Sequence, residues 1–298
     1  MTHLVTTVDW NFSGAPPEYS GHVQGFALHG LVGRHTGAIH TELTISRLAP
    51  DGYVDSHVHS YEEAAYVLEG APVLALTDRR FRLRRGDYAL LPVGTPHAWG
   101  NGGEDEARWL TVHTPLRIPE EEGRRDTLFL PGAELDDEVE TPVFGPTLRY
   151  LGHYEGTPPQ AEALQLHDPA RGRRPAGMDT ALIVYSGISV RMLVDRVFGA
   201  ELLTVFTVDY EPGGSAQVHD HPFEETYFFL EGEIEAELED QAYTVRAGDV
   251  VFAGVGSTHG FFNNGDGRVR WIETQAPQPP GRHSYRWVDT WKKLDREG

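Results

Sequence analysis

The chain has no cysteine. Disulfides, thiolate metal sites and cysteine nucleophiles are therefore excluded, and a reducing, cytoplasmic setting is the expected one. Positive charge is also scarce: 25 Lys and Arg stand against 45 Asp and Glu, a formal net charge of −20. Such a chain is repelled at long range by nucleic acid and by anionic membrane surfaces, so neither is an expected partner. The acidity serves solubility. No apolar run reaches the roughly 20 residues that a transmembrane helix requires. The opening stretch MTHLVTTVDWNFSG has neither the basic start nor the apolar core of a secretory signal.

What is abundant is turn chemistry and repetition. With 33 glycines and 20 prolines among 298 residues, many short strands joined by turns are favoured over long helices. Hydrophobic residues make up 39%, enough for each half of the chain to bury a core of its own. The phrase HVHSYEEAAYVLEG (57–70) returns as HDHPFEETYFFLEG (219–232). One offset, 162 residues, carries His57, His59, Glu63 and His97 onto His219, His221, Glu225 and His259. The same offset carries Leu31, Val32, Arg34, Gly37, Pro50, Gly70, Gly86, Gly94 and Asn101 onto identical residues, without insertion or deletion. The chain is a tandem duplication.

Both copies read as strands. HTELTISRLAP (40–50) and ELLTVFTVDYEP (201–212) are β-branched and aromatic runs ending at a proline-bounded turn. EAAYVLEG and ETYFFLEG stop at glycine, and Gly-Asp turns at 86–87 and 248–249 divide further pairs of short strands. The pattern predicts an all-β chain with a small antiparallel barrel or sandwich used twice. The expected division is residues 1–125 as a first barrel with an N-terminal arm, 126–177 as a linker packing across the barrels, and 178–298 as a second barrel with a helical tail. A short helix is expected around PQAEALQLH (159–167) and the tail helix over SYRWVDTWKKL (284–294), where Trp287 and Trp291 lie four apart.

In a strand, residues i and i+2 share a face. His57 and His59 therefore project together, as do His219 and His221, while His97 and His259 arrive from another strand. Three imidazoles and a carboxylate are the donor set of a first-row transition metal. Burying so many ring nitrogens without an ion would leave many polar atoms to satisfy. Glu63 and Glu225 are the preferred carboxylates because they keep the parity of the strand that follows. The adjacent Glu62 and Glu224 remain alternatives as ligands, and as neighbours of the site they are candidate proton acceptors. Tyr66 offers a hydroxyl for substrate contact, Trp99 and Phe261 share the face of the third histidine, and Asn101 and Asn263 suit turn or loop anchoring.

These residues resemble the cupin superfamily, specifically its two-domain bicupins. The first motif, G-x5-H-x-H-x3-4-E-x6-G, is similar to GYVDSHVHSYEEAAYVLEG (52–70), whose first glycine lies one position off the strict count; Gly214 opens the second copy. The second motif, G-x5-P-x-G-x2-H-x3-N, is matched by GDYALLPVGTPHAWGN (86–101). GDVVFAGVGSTHGFFN (248–263) also matches, except that Gly254 stands for the proline. The resemblance covers roughly 20–115 and 178–278. It implies two double-stranded β-helix (jelly-roll) barrels, each binding a divalent transition metal through the 3-His/1-Glu sets. Fe(II) or Mn(II) is the leading ion, with Ni(II) and Zn(II) as alternatives. It also implies a small-molecule substrate and allows a homodimer. Three activities are compatible with it: a dioxygenase acting on a chelating diol, enol, hydroxy-ketone or aromatic; a non-redox isomerase, decarboxylase or aminohydrolase of the ureidoglycine type; and a small-molecule-binding module.

Overall fold

The computed structural model describes residues 2–117, 126–130, 138–145, 148–154, 185–279 and 286–287. Among these there is no α-helix, only strands and two short 3-10 turns. In chain order the strands of the first half are β1 (His3–Thr7), β2 (Val23–Val32), β3 (Glu42–His59), β4 (Glu62–Glu69), β5 (Val73–Leu76), β6 (Arg79–Arg82), β7 (Asp87–Leu91), β8 (His97–Gly100), β9 (Ala107–Thr114), β10 (Thr127–Phe129), β11 (Val139–Glu140) and β12 (Leu151–His153). Those of the second half are β13 (Tyr185–Val194), β14 (Thr204–Asp220), β15 (Glu224–Glu231), β16 (Glu233–Leu238), β17 (Gln241–Arg246), β18 (Asp249–Ala253), β19 (His259–Phe262), β20 (Val269–Ala276) and β21 (Arg286–Trp287).

Two sheets result, each curling into a barrel. The first runs β11-β6-β5-β8-β3-β9-β4-β7-β12, with β2 and β10 also paired to β3. The second runs β1-β18-β15-β20-β14-β19-β16-β17, with β13 and β21 on β14. The core of the first is built on Leu48, Val67, Leu74, Trp99 and Trp109, that of the second on Tyr210, Phe229, Ala236, Phe261 and Trp271. These sets correspond under the 162-residue offset, so the duplicated sequence makes duplicated cores.

The expected domain limits need correction at both ends. The described residues pack as two units, one holding 9–154 and 193–203, the other 2–8, 185–192 and the residues from 204 onward. The N-terminal arm thus belongs with the second barrel: β1 pairs antiparallel with β18, from His3 opposite Ala253 to Thr7 opposite Asp249, and covers its edge. The described parts of the expected linker extend the first sheet instead: β10 lies on β3, β11 on β6 and β12 on β7. Arg286–Trp287 form a strand opposite His219 and Asp220, where a helix was expected. The rest of that tail and residues 159–167 lie outside the described residues.

The motif asparagines serve turn geometry. Asn101 Nδ2 donates to the carbonyls of Leu48, Ala49 and Asp105 at 3.0, 3.2 and 2.9 Å, and its Oδ1 accepts from the Gly103 amide at 3.1 Å. Asn263 repeats this with Tyr210, Glu211, Gly267 and Gly265. Asn101→Ala leaves buried carbonyls without donors, and the expected loss is about 2–3 kcal/mol in chemical denaturation. The motif glycines answer a closer constraint. Gly70 has φ +75°, and a Cβ there would lie 2.6 Å from the Glu106 carbonyl oxygen and 2.7 Å from Ala107 Cα.

Candidate metal centres

Each histidine pair reaches the barrel interior through a local irregularity. Val54 and His57 are three apart and would face opposite sides of a regular strand. A bulge at this point lets both face inward, since Val54 pairs with Trp99 and His57 with His97. The second barrel repeats the device between Ala216, opposite Phe261, and His219, opposite His259. His59 and His221 follow two residues on. The loops that deliver the third histidine are tied to them: the Gly94 amide donates to the His59 carbonyl and the Gly256 amide to the His221 carbonyl, both at 3.0 Å.

The four residues of each set come together and are buried. In the first barrel, donor atoms of His59, Glu63 and His97 lie within 4.8 Å of one another, and the His57 ring is 4.1 Å from that of His97. In the second, His219, His221 and His259 form such a group, with Glu225 Oε2 2.8 Å from His221 Nε2 and 3.1 Å from His259 Nε2.

All six rings are held the same way. Nδ1 of His57, His59 and His97 donates to the carbonyls of Asp55, Tyr61 and Thr95 at 2.8, 2.6 and 3.0 Å. Nδ1 of His219, His221 and His259 donates to those of Gln217, Phe223 and Ser257 at 2.7, 2.8 and 2.9 Å. A carbonyl only accepts, so Nδ1 carries the proton and the neutral ring turns an Nε2 lone pair inward. Nε2 of His59, His97 and His259 is buried without a hydrogen-bond partner. A lone pair 3.4 Å from a carboxylate oxygen, as between His59 and Glu63, is repulsive unless a cation sits between them. The donor set therefore fits a divalent first-row ion in either barrel.

The electrostatics agree for His57, His97 and His219; His221 is the exception, raised above its ordinary value by the charge and hydrogen bond of Glu225 against its burial. Burial holds His57 down at about 4 and His219 at about 3, and it keeps His97 well below its ordinary value. Burial pushes the Glu63 carboxyl up, but its neighbours, the hydrogen-bonding His113 foremost, outweigh it and hold Glu63 well below the usual carboxylate range. For Glu225, burial is likewise outweighed, with His221 the largest opposing influence.

The candidate catalytic residues fare differently. Glu62 and Tyr66 alternate with Glu63 along β4, and Glu224 with Glu225 along β15, so the strand's period of two turns them away from the ligands. Glu62 accepts the backbone amides of Glu201, Leu202 and Leu203 at 2.9, 2.9 and 3.1 Å, which anchors that segment. Tyr66 donates to the Tyr154 carbonyl at 3.1 Å. Glu224 is buried on the same outward parity. The geometry gives none of the three a role as proton acceptor or substrate contact at the metal centre. Glu62→Gln is expected to cost about 2 kcal/mol in denaturant unfolding while leaving metal content unchanged, because an amide oxygen cannot replace both carboxylate oxygens. Trp99 and Phe261 face inward but sit in the core one layer away, Trp99 stacked on Trp109 at 4.4 Å.

Several contacts to the ligands escaped the sequence reading. His113 Nε2 donates to Glu63 Oε2 at 3.1 Å. Its counterpart Gln275 donates to Glu225 Oε1 at 2.7 Å, and Tyr227 Oη donates to Glu225 Oε2. Tyr61 stacks on His59 at 4.0 Å and Phe223 on His221 at 3.8 Å. The available signal was parity: His113 lies two and four residues after Thr111 and Trp109 on one strand face, and the offset maps the three onto Gln275, Glu273 and Trp271.

Residues 44–113 and 206–274 each match the family described as Cupin domain. A curated relative, polyketide synthase CurC of Streptomyces cyaneus, is 30% identical over 92 residues, 30% of this chain and 60% of that protein's length. Among solved structures, salicylate 1,2-dioxygenase from Pseudaminobacter salicylatoxidans is similar over 84% of this chain and 76% of its own, at 16% identity and TM-score 0.64. Oxalate decarboxylase from Lactobacillus farciminis is similar over 93% and 89%, at 18% identity and TM-score 0.57.

Proposed function

We propose that this chain, a bicupin, is a metal-dependent enzyme, and that it acts as a dioxygenase on a small chelating substrate bearing a diol, enol or hydroxy-ketone. The observation that carries the proposal is the set of buried, inward-turned Nε2 lone pairs gathered on an ionised glutamate. His57, His59, Glu63 and His97 would hold one ion, and His219, His221, Glu225 and His259 a second. With three neutral rings and one carboxylate, a divalent ion keeps a net positive charge and supplies Lewis acidity and open positions for chelating oxygens beside O2 or water. Fe(II) or Mn(II) is proposed, with Ni(II) or Zn(II) as alternatives.

The protein's own residues do the rest. The six Nδ1–carbonyl bonds fix ring orientation, and His113 or Gln275 orients the glutamate. The stacked Tyr61 and Phe223 shield the second histidine of each set from water. Similarity to salicylate 1,2-dioxygenase and to a polyketide synthase protein supports the substrate class, since polyketides carry the alternating ketone and enol oxygens that chelate metals. The oxalate decarboxylase likeness, over 93% of the chain, supports a second reading as a non-redox metal enzyme. We further propose a small molecule as the partner, with neither nucleic acid nor membrane, and no described helix is long and apolar enough to cross one.

Elemental analysis after anaerobic purification, followed by O2 uptake with a panel of diols and hydroxy-ketones, tests the proposal. Bound iron or manganese with substrate-dependent uptake is the expected result. Turnover without uptake transfers the assignment to the non-redox reading, and protein that binds no metal overturns both.

A further inference from the structure

The two centres are built from one plan, but the residues beneath them have diverged. In the first barrel Glu63 lies in a cross-strand row with His113 and Glu42. The next row inward joins Thr44, Thr111, Ala65 and Ala89 across four paired strands. The corresponding row of the second barrel is Phe206, Glu273, Tyr227 and Val251. Every one of the four positions is smaller in the first barrel, and a methyl group stands where the second has a phenol.

The polar atoms divide in the same way. In the second barrel they are occupied: Tyr227 and Gln275 donate to Glu225, and the Trp271 indole donates to Glu273 at 2.9 Å. In the first, Ser46 and Thr111 share one hydrogen bond of 3.3 Å, while Thr44 Oγ1 and His113 Nδ1 are buried and have no partner. Thr44 is wholly buried. A buried hydroxyl and a ring nitrogen left unpaired beside a metal-ligand set call for a polar ligand.

We propose that the first barrel alone takes the substrate, lodging a small hydroxyl-bearing portion against Thr44, Thr111 and His113 while its chelating oxygens meet the metal ligands, and that the second centre is closed to substrate. The inference rests on the metal-enzyme reading above. Thr44 offers a hydroxyl that both donates and accepts, and His113 Nδ1, opposite a donating Nε2, accepts. The substrate portion must therefore carry at least one donor, and it must be short, since Trp109 forms the floor one row deeper.

The test uses the full chain loaded anaerobically with Co(II) and titrated with 3,4-dihydroxybenzyl alcohol, whose absorption shifts on chelation and whose hydroxymethyl group carries the donor. Two cobalt ions but one equivalent of probe per chain are expected. Ala65→Tyr, which copies the second barrel, is expected to weaken probe binding at least tenfold with two cobalt ions retained. Thr44→Val, nearly isosteric, is expected to weaken it about fivefold with an unchanged melting temperature. Two equivalents of probe, or a folded Ala65→Tyr protein with undiminished affinity, overturns the inference. Should Ala65→Tyr not fold, unchanged affinity in both Thr44→Val and Thr111→Val overturns it instead. Failure to bind cobalt at all defeats the metal-enzyme reading itself and is distinguishable from these results.

Discussion

His97→Ala is expected to release about one equivalent of metal per chain, and His259→Ala the other. Each substitution removes a single donor, but the donors left behind cannot compensate. Their rings are pinned by Nδ1–carbonyl bonds and do not swing to close the gap. Loss of a partner that only orients a ligand typically costs 10–100-fold in metal affinity, so loss of a ligand should exceed about a hundredfold. Plasma emission analysis of dialysed protein reads the stoichiometry. If the double variant holds as much metal as either single one, only one centre is real. The remaining glutamate then faces fewer cations, so a drop in stability of the loaded protein should accompany the loss of metal.

Metal-free protein is expected to become sharply less stable as the pH falls from about 6.5 to about 4. His57 and His219 titrate at about 4 and about 3 in the folded chain, against 6.5 when unfolded, because burial disfavours the charged ring. Below pH 6.5 the unfolded chain therefore takes up protons that the folded chain refuses, and stability falls with pH. For His57 alone the difference is about 3 kcal/mol once pH 4 is reached, and His219 adds a similar amount. Glu63 and Glu225, held low in the fold, contribute stability above the ordinary glutamate range and lose it as the pH falls below that range, which extends the decline. Glu273 and His221 work the other way: burial and the adjacent Glu225 push the Glu273 carboxyl well above the usual range, and Glu225 raises the His221 ring against its burial, so both contributions improve as the pH falls. Against a total stability of about 5–15 kcal/mol, the histidine contribution is a large fraction. Urea midpoints of chelator-treated protein at pH 7, 5.5 and 4.5 check this, and a flat midpoint would refute the burial of these rings.

The duplication, the barrel class and the convergence of the two His/Glu sets were legible because their signals are local. A two-residue histidine spacing, a glycine at a strand end and a fixed offset survive in one dimension. For Glu62, Glu224 and Tyr66, strand parity points away from the metal centres, since adjacent residues in a strand face opposite sides. His113 was missed because it lies 50 residues from Glu63 and meets it only across a strand pair. The domain limits were misread because chain order was taken for spatial order. No feature of HLVTT announces which sheet edge it will cover, and the destination depends on where an unpaired strand is exposed.

That exchange has a consequence for the history of the gene. A duplicated unit whose copies are each self-sufficient can be separated again by a single break. Here the second barrel closes its edge with residues 3–7, and Glu62 of the first is satisfied by amides 201–203. A break between the copies would strand each piece with an exposed strand edge or an unanswered buried carboxylate. Each barrel is thus completed by residues that lie, along the chain, with the other copy.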